Sequence, residues 1–534
     1  MVKKMYKRIV LIGAFLAFSV LGYAQGVSSF SAYKFVRFIQ YLSSNYVDTI
    51  NVNKMVDDAI IDMLSQLDPH SVYISKEDVQ AMNEPLEGNF DGIGVEFNIM
   101  NDTLMVVNPI TGGPSERVGI IAGDRIIAID GKPITNIGLK IPDVHKLLRG
   151  PKGTKVTVTI SRKGVAQPLE FTITRDKIPI FSIDAAYMAK PNVGYIKISR
   201  FAATTEQEFI DAMNSLNKRK LNSLIIDLRN NGGGLLGTAY EIANYFIDKG
   251  KLIVYTEGRN SPRTNYISTG KGYKFNGKVV VLIDQGSASA SEILTGALQD
   301  WDRALIVGRR SFGKGLVQHQ LPLPDGSAIR LTVARYYTPT GREIQRPYHN
   351  GDVMKYYEDL NDRFVSGELF NRDSIHMSDS LKYKTLVKGK TVYGGGGIMP
   401  DVFVPLDTSF YTNYYGKLVR SGLLYQFALN WVDEHRSELL KEYKNFDKYN
   451  KSFEVSSELI DELTKLADSK KIEKNEEQLN ISLAELKVQL KGLIAQSLFS
   501  SGYYYQVTNG TDETFLKALD VLDNWGKYKS LVVE

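Results

Sequence analysis

The sequence predicts a multidomain chain of the α/β (α+β) class: a helical N-terminal region, a small β-domain, a core of alternating strands and helices, and a helical C-terminal extension. Three observations predict it. The chain has 534 residues, and single hydrophobic cores stop growing near ~250–300 residues. The period of the apolar pattern changes along the chain, from helical to alternating and back to helical. Between residues 177 and 345, apolar runs of strand length are followed by helical patterns, which makes a sheet covered by helices.

Residues 1–24 read as a secretory signal peptide. Lys3, Lys4, Lys7 and Arg8 precede the apolar run Ile9–Leu21, and Gly22-Tyr23-Ala24 supplies a small-x-small cleavage site. Cleavage after Ala24 is expected, with an uncleaved anchor as the alternative; the run is short against the about 20 residues that span a bilayer. The chain is thus expected to be exported, to the periplasm or cell envelope of a bacterium. The formal charge is +5, and those four cations supply most of it. The near-neutral remainder gives no electrostatic case for nucleic acid. There are no cysteines, which excludes disulfides and thiolate chemistry. The six histidines are scattered and form no His-Glu-x-x-His pair, so no metal is expected.

Residues 25–84 read as helical. Val52, Met55, Val56, Ala59, Ile60, Met63, Leu64 and Leu67 recur at helical spacing, and Asp68-Pro69-His70 stops the helix. Such a stripe packs against a core or against a second copy of the chain. Residues 85–176 read as the β-domain, with strands at Gly92–Phe97, Leu104–Val107, Asp124–Asp130 and Lys155–Ile160, and one helix at Pro142–Leu148. Residues 177–410 read as the core. Its strands are expected at Asn192–Ile198, Ser223–Leu228, Lys278–Ile283 and Ala304–Val307, with helices at Thr205–Leu216, 235–248 and Ser289–Leu298. The polar, Tyr-rich stretch 346–390 reads as an insertion or long loop, and the sheet is expected to resume at Thr391–Asp401. Residues 411–534 are amphipathic and helical, as in Ser482–Ile494.

The stretch Gly308-Arg-Arg-Ser-Phe-Gly-Lys-Gly315 spells most of a nucleotide-binding loop. Gly315 stands where that loop needs a hydroxyl for Mg²⁺, and Leu316-Val317 favour a strand over the required helix. Lys314 finds a different partner upstream. Asp284-Gln-Gly-Ser-Ala-Ser-Ala-Ser-Glu292 links an apolar strand to a helix, and its small residues permit a sharp turn. That turn places Ser289 near a helix N-terminus, where amides stabilise negative charge. Alone, Ser287, Ser289 and Ser291 also read as helix caps, with Glu292 in the first turn.

A serine hydroxyl needs a base to become a nucleophile. A lysine serves if burial lowers its pKa from about 10.4. Phe312, Gly313, Gly315, Leu316 and Val317 surround Lys314 in sequence without an acid, and Gln318 can orient the amine without adding charge. Acyl transfer also needs oxyanion donors. The amides of Gly232-Gly-Gly234 and of Ala290 are candidates, although a glycine triplet also serves a plain turn.

Four motifs together resemble the C-terminal processing (tail-specific) serine protease family: Asp227-Leu-Arg-Asn-Asn-Gly-Gly-Gly234, Gly286-Ser-Ala-Ser-Ala-Ser-Glu292, Ser311-Phe-Gly-Lys-Gly-Leu-Val-Gln318 and Thr332-Val-Ala-Arg-Tyr-Tyr-Thr-Pro339. Tyr46-Val-Asp48 and Leu67-Asp-Pro-His-Ser71 are similar to that family's N-terminal region. Residues 85–176, including Gly119–Gly131, resemble its PDZ domain. The resemblance implies Ser289 as nucleophile, Lys314 as general base, Gln318 as its orienter, and Gly234 and Ala290 as oxyanion donors. It implies a PDZ groove with Gly92, Ile93, Gly94 and Val95 as the nest for a C-terminal carboxylate. It further implies an endopeptidase of protein or peptide substrates with accessible C-termini, using no metal or nucleotide. A homo-oligomer through the N- or C-terminal helices, or an adaptor protein, would be additional partners. The alternatives are a non-catalytic PDZ scaffold and a nucleotide-binding protein.

Overall fold

The computed structural model describes residues 29–533 except Asn101, Lys271 and Tyr273. The signal-peptide reading of residues 1–24 therefore lies outside the described residues. The chain divides into two compact units at Leu67/Asp68.

Among the described residues, the first unit holds two helices, Ser29–Asn45 and Val52–Ser65. The Asn51 side chain caps the second by accepting from the Lys54 amide at 3.1 Å. Of the apolar stripe at 52–67 only Leu64 is buried, while Met63 is 63% exposed. Among the described residues, the rest of the stripe is half-buried or exposed.

The second unit opens with a tight turn. The Asp68 carboxylate accepts from the amides of His70 (2.9 Å) and Ser71 (3.1 Å) and from the Ser71 hydroxyl (2.6 Å). The turn feeds a strand, Val72–Ile74, that the helical reading of 25–84 missed. Three residues are too few to show a period.

In the β-domain, Asn89–Gly92 pairs with Asp176–Pro179. A six-stranded sheet follows, containing Val95–Met100, Thr103–Pro109, Arg125–Ile129, Lys132–Pro133, Lys155–Ser161 and Leu169–Thr174. Strict alternation along Lys155–Ser161 turns Val156, Val158 and Ile160 inward. They meet Val144 and Leu148 of the helix Ile141–Leu148 in one apolar core.

The core sheet has six strands in the order Ile183–Lys190, Val193–Ile198, Ser223–Asp227, Lys278–Ile283, Leu305–Gly308 and Val402–Phe403. All neighbours after the first pair are parallel. The middle strands are buried on both faces, as their unbroken apolar runs require. Helices Thr205–Asn217, Leu236–Asn244 and Ala290–Asp300 cover one face. The other face is covered by the C-terminal extension. Phe515, Leu519 and Leu522 of helix Glu513–Asp523, with Trp525, pack on Tyr195, Ile225, Val280, Leu282, Leu305 and Val307. The preceding helices of the extension build a separate core around Leu418, Phe427, Tyr449, Leu463 and Leu490.

A second sheet joins Val72–Ile74, Leu252–Gly258, Ser261–Ile267, Leu316–Pro322 and Ala328–Tyr337. The insertion is not simply a loop: Val353–Val365 forms a helix capped by Asp352. The core sheet resumes at Val402–Phe403, later than expected, because Thr391–Tyr393 pairs with Lys382–Lys384 in a hairpin of its own.

Candidate active site

Parallel sheets gather their functional loops beyond the carboxyl ends of the strands. Here the loops after Ser223–Asp227 and Lys278–Ile283 lie side by side. Asp284 ties them together, accepting from the Asn230 amide at 2.9 Å and the Gly286 amide at 3.0 Å. The Ser287 hydroxyl donates to the Leu228 carbonyl at 2.8 Å. This bracing supports Ser289 at φ 55°, ψ −115°, a conformation that costs a non-glycine residue roughly 1–3 kcal/mol. Ser289 thus stands at a sharp corner between the strand Lys278–Ile283 and the helix Ala290–Asp300.

The glycine triplet reaches this corner. A Cβ on Gly233 (φ 100°) would lie 2.7 Å from the Ser289 Cβ and 2.9 Å from the Ala290 nitrogen, so only glycine fits. Among the described contacts, the amides of Gly234 and Ala290 donate to no protein acceptor. Both lie free beside the Ser289 turn.

The loop Ser311–Gly315 is bound to the same corner by one buried side chain. The Glu292 carboxylate accepts through Oε2 from the amides of Ser289 and Lys314, each at 2.8 Å. Through Oε1 it accepts from the Ser311 hydroxyl (2.5 Å) and the Gly313 amide (2.7 Å). Complete burial pushes this carboxyl above its ordinary range, while the four donors pull it the other way. From the opposite side, the buried Tyr336 hydroxyl donates between the carbonyl oxygens of Ser289 (3.1 Å) and Lys314. Residues 289 and 314 are therefore clamped through both their amides and their carbonyls.

The Lys314 amine donates to Gln318 Oε1 at 3.1 Å, and Gln318 Nε2 donates to the His70 carbonyl. Burial lowers the Lys314 pKa below the ordinary lysine range, and the Arg330 charge adds to this; Asp68 and Glu292 oppose it. The acid-free neighbourhood expected from the sequence thus holds along the chain but not in space. No hydrogen bond joins the Ser289 hydroxyl to the Lys314 amine among the described contacts. The lysine is followed by the strand Leu316–Pro322 and not by a helix, which removes the nucleotide-loop reading.

The structure thus brings Ser289, Lys314, Gln318, Gly234 and Ala290 to one place. Gly92, Ile93, Gly94 and Val95 lie elsewhere, on the β-domain. Gly94 takes φ 72°, and among the described residues the strand Val95–Met100 pairs with Thr103–Pro109 alone, at one edge of its sheet. Across that edge, the Phe97 and His145 rings meet at 5.7 Å. Sequence reasoning missed Glu292 and Tyr336 as clamps, although both stand inside the motifs quoted for the resemblance.

Comparison with known proteins gives this geometry a family. The model for peptidase family S41 matches residues 192–353, a PDZ-domain model matches 105–162, and the model of a family of unknown function (DUF8443) matches 414–500. A carboxy-terminal-processing protease of Bartonella bacilliformis is 38% identical over 345 residues, covering 62% of this chain and 78% of its own length. The carboxy-terminal processing protease CtpA of Bacillus subtilis is 34% identical over 381 residues, covering 69% and 81%. The chain belongs to the carboxy-terminal processing protease family. Among solved structures, a photosystem II D1 C-terminal processing protease is 29% identical, covers 68% of this chain and 85% of its own, and has a TM-score of 0.36.

The chain is accordingly a C-terminal processing serine protease with a PDZ domain. Within this family member the Glu292 clamp carries a direct expectation. Glu292→Gln would set an amide NH₂ against two protein donors, and each donor left unpaired costs about 1–3 kcal/mol. The variant should unfold at lower temperature and cleave peptides more slowly. A native melting temperature with native turnover would show that the clamp is dispensable.

Proposed function

We propose that the chain is an exported endopeptidase that captures a protein's C-terminus in its PDZ groove and cleaves nearby peptide bonds with a Ser289–Lys314 dyad. The observation that carries this reading is the single buried carboxylate oxygen of Glu292, which holds the Ser289 and Lys314 amides at once. The neutral Lys314 amine takes the Ser289 proton as Oγ attacks the substrate carbonyl. The oxyanion is stabilised by the free amides of Gly234 and Ala290. Lys314 then returns the proton to the leaving amine as the C–N bond breaks. Water, activated by the same amine, releases the acyl group and restores the serine hydroxyl. Gln318 orients the amine as a neutral acceptor, so it does not favour the ammonium form as a carboxylate would. Replacing Ser289 or Lys314 tests the dyad, and retained hydrolysis in either variant sinks it. Export is tested by the mature N-terminus, expected at Gln25.

Recognition is assigned to Gly92, Ile93, Gly94 and Val95. Ile93 is held from behind, its carbonyl accepting from the Ser115 amide (3.0 Å) and hydroxyl (2.6 Å). The strand Val95–Met100 offers its free edge to an added peptide strand. A Cβ on Gly94 would approach the Ile178 Cδ1 to 3.0 Å and the Pro114 Cδ to 3.2 Å, at a φ that disfavours side chains. Gly94→Val should weaken binding of a peptide with a free apolar C-terminus about tenfold, the effect of roughly 1–3 kcal/mol of strain in the nest. Fluorescence anisotropy measures it, and unchanged affinity contradicts the assignment.

A further inference from the structure

The helix Val353–Val365 begins where the peptidase-family match stops. Its buried residues are Tyr356 and Arg363, an unusual pair for a helix face. Arg363 donates to the carbonyls of Ser311 (2.8 Å) and Phe312 (3.2 Å), on the loop that carries Lys314. The Arg346 guanidinium lies over the Phe312 ring (4.0 Å) and the Tyr356 ring (3.9 Å). Tyr356 reaches further. Its hydroxyl lies 3.0 Å from His70 Nε2 and 3.3 Å from Gln345 Nε2, and Gln345 Oε1 accepts from the Gly315 amide at 2.8 Å. The Gln345 amide donates to the phenol, so the phenol's own proton is free for the His70 ring nitrogen. Burial and the neighbouring Lys314 and Arg346 charges hold that ring neutral, its pKa down to about 3 against the opposing pull of Asp68.

His70 is therefore gripped on two sides. Asp68 holds its amide, while Tyr356 holds its ring. Its carbonyl, between the two, accepts from Gln318, and Gln318 accepts from the Lys314 amine. We infer that Tyr356 is a positioning residue for the Lys314 amine, acting through His70 and Gln318. The inference rests on the reading of Lys314 as base. It gives the inserted segment a part in the reaction, since without its helix the His70 ring loses its hydroxyl partner.

The experiment uses the full chain with a quenched-fluorescent peptide ending in a free carboxylate. Tyr356→Phe keeps the ring against Arg346 and Phe312 and removes only the hydroxyl. We expect kcat to fall about tenfold with KM changed less than twofold, because a misplaced base slows chemistry and leaves binding alone. Labelling of Ser289 by a fluorophosphonate should slow in parallel. His70→Ala cuts the same link from the other side and should match it, and the double variant should be no slower than the slower single one. Native kcat in Tyr356→Phe, or multiplicative losses in the double variant, would overturn the relay. Lys314→Arg, assayed alongside, separates the two readings. An active Arg variant removes the base and the relay together, whereas an inactive one beside a fully active Tyr356→Phe enzyme removes the relay alone. Near-UV circular dichroism checks that each variant is folded; should Tyr356→Phe be unfolded, His70→Ala carries the same test.

Discussion

Ser289→Ala is expected to abolish peptide hydrolysis while leaving C-terminal peptides bound. The substitution removes the Oγ proposed as nucleophile and leaves the backbone of the corner in place. The Ser289 amide still meets Glu292 and its carbonyl still meets Tyr336, so the corner keeps its geometry. Loss of a serine nucleophile lowers kcat by roughly 10⁶ in a serine protease, the residue of catalysis coming from the oxyanion donors and binding. The PDZ groove shares no residue with this corner, so the dissociation constant for a peptide should stay within about twofold, the spread expected of distant sites that act independently. The measurement is turnover of the quenched peptide beside anisotropy of an uncleavable one. The fluorophosphonate, which reacts with activated serines, should label the native chain at residue 289 and the variant nowhere. Cleavage by the alanine variant at more than a thousandth of the native rate would place the nucleophile elsewhere.

The second large effect is at the base. Lys314→Arg should be inactive at every pH, because a guanidinium stays protonated and cannot accept the serine proton. The loss should be roughly 10²–10⁴-fold in kcat, the usual contribution of a positioned general base. In the native enzyme the sign follows from burial. Taking the amine out of water disfavours the ammonium form, so the pKa falls below the ordinary lysine value. Only the deprotonated amine works as a base. Activity should therefore be full on the alkaline side of that lowered pKa. It should decline on the acid side by about tenfold per pH unit, as for any reaction requiring one deprotonated group. A pH–rate profile that rises toward acid, or an active Arg variant, contradicts the mechanism.

The site was legible where chemistry and backbone shape share the same residues. The apolar strands Ser223–Asp227 and Lys278–Ile283 stand out as unbroken runs, and the loops after them carry Gly234 and Ser289. Lys314 and Gln318 are four positions apart on one segment, so their hydrogen bond is nearly local. The clamps were harder to see. Glu292 three residues after Ser289 has the spacing of an ordinary capping residue, and it does accept the Ser289 amide. Nothing local says that its other donors come from residues 311–314. The insertion helix was hidden for a different reason. Val353, Tyr356, Leu360 and Phe364 do recur at helical spacing, but the surrounding stretch 346–390 is polar and Tyr-rich throughout and reads as a loop. The turn at Asp68-Pro-His-Ser71 reads as a helix stop, which it is, but its second use is to present a carbonyl to Gln318. Each missed contact joins segments far apart in sequence, and pattern reading along the chain has no access to such pairs.

The packing of the helix Glu513–Asp523 on the core sheet also bears on synthesis. A ribosome delivers every strand of that sheet, the last at Val402–Phe403, before it delivers Phe515, Leu519, Leu522 and Trp525. Until those four emerge, one face of the sheet lies bare to water, including Ile225, Val280, Leu282 and Val307. Each such side chain forgoes about 1.5–3 kcal/mol while uncovered. The helix Glu513–Asp523 thus closes over this face only after the strands, and the loops that carry Ser289 and Lys314, have already been made.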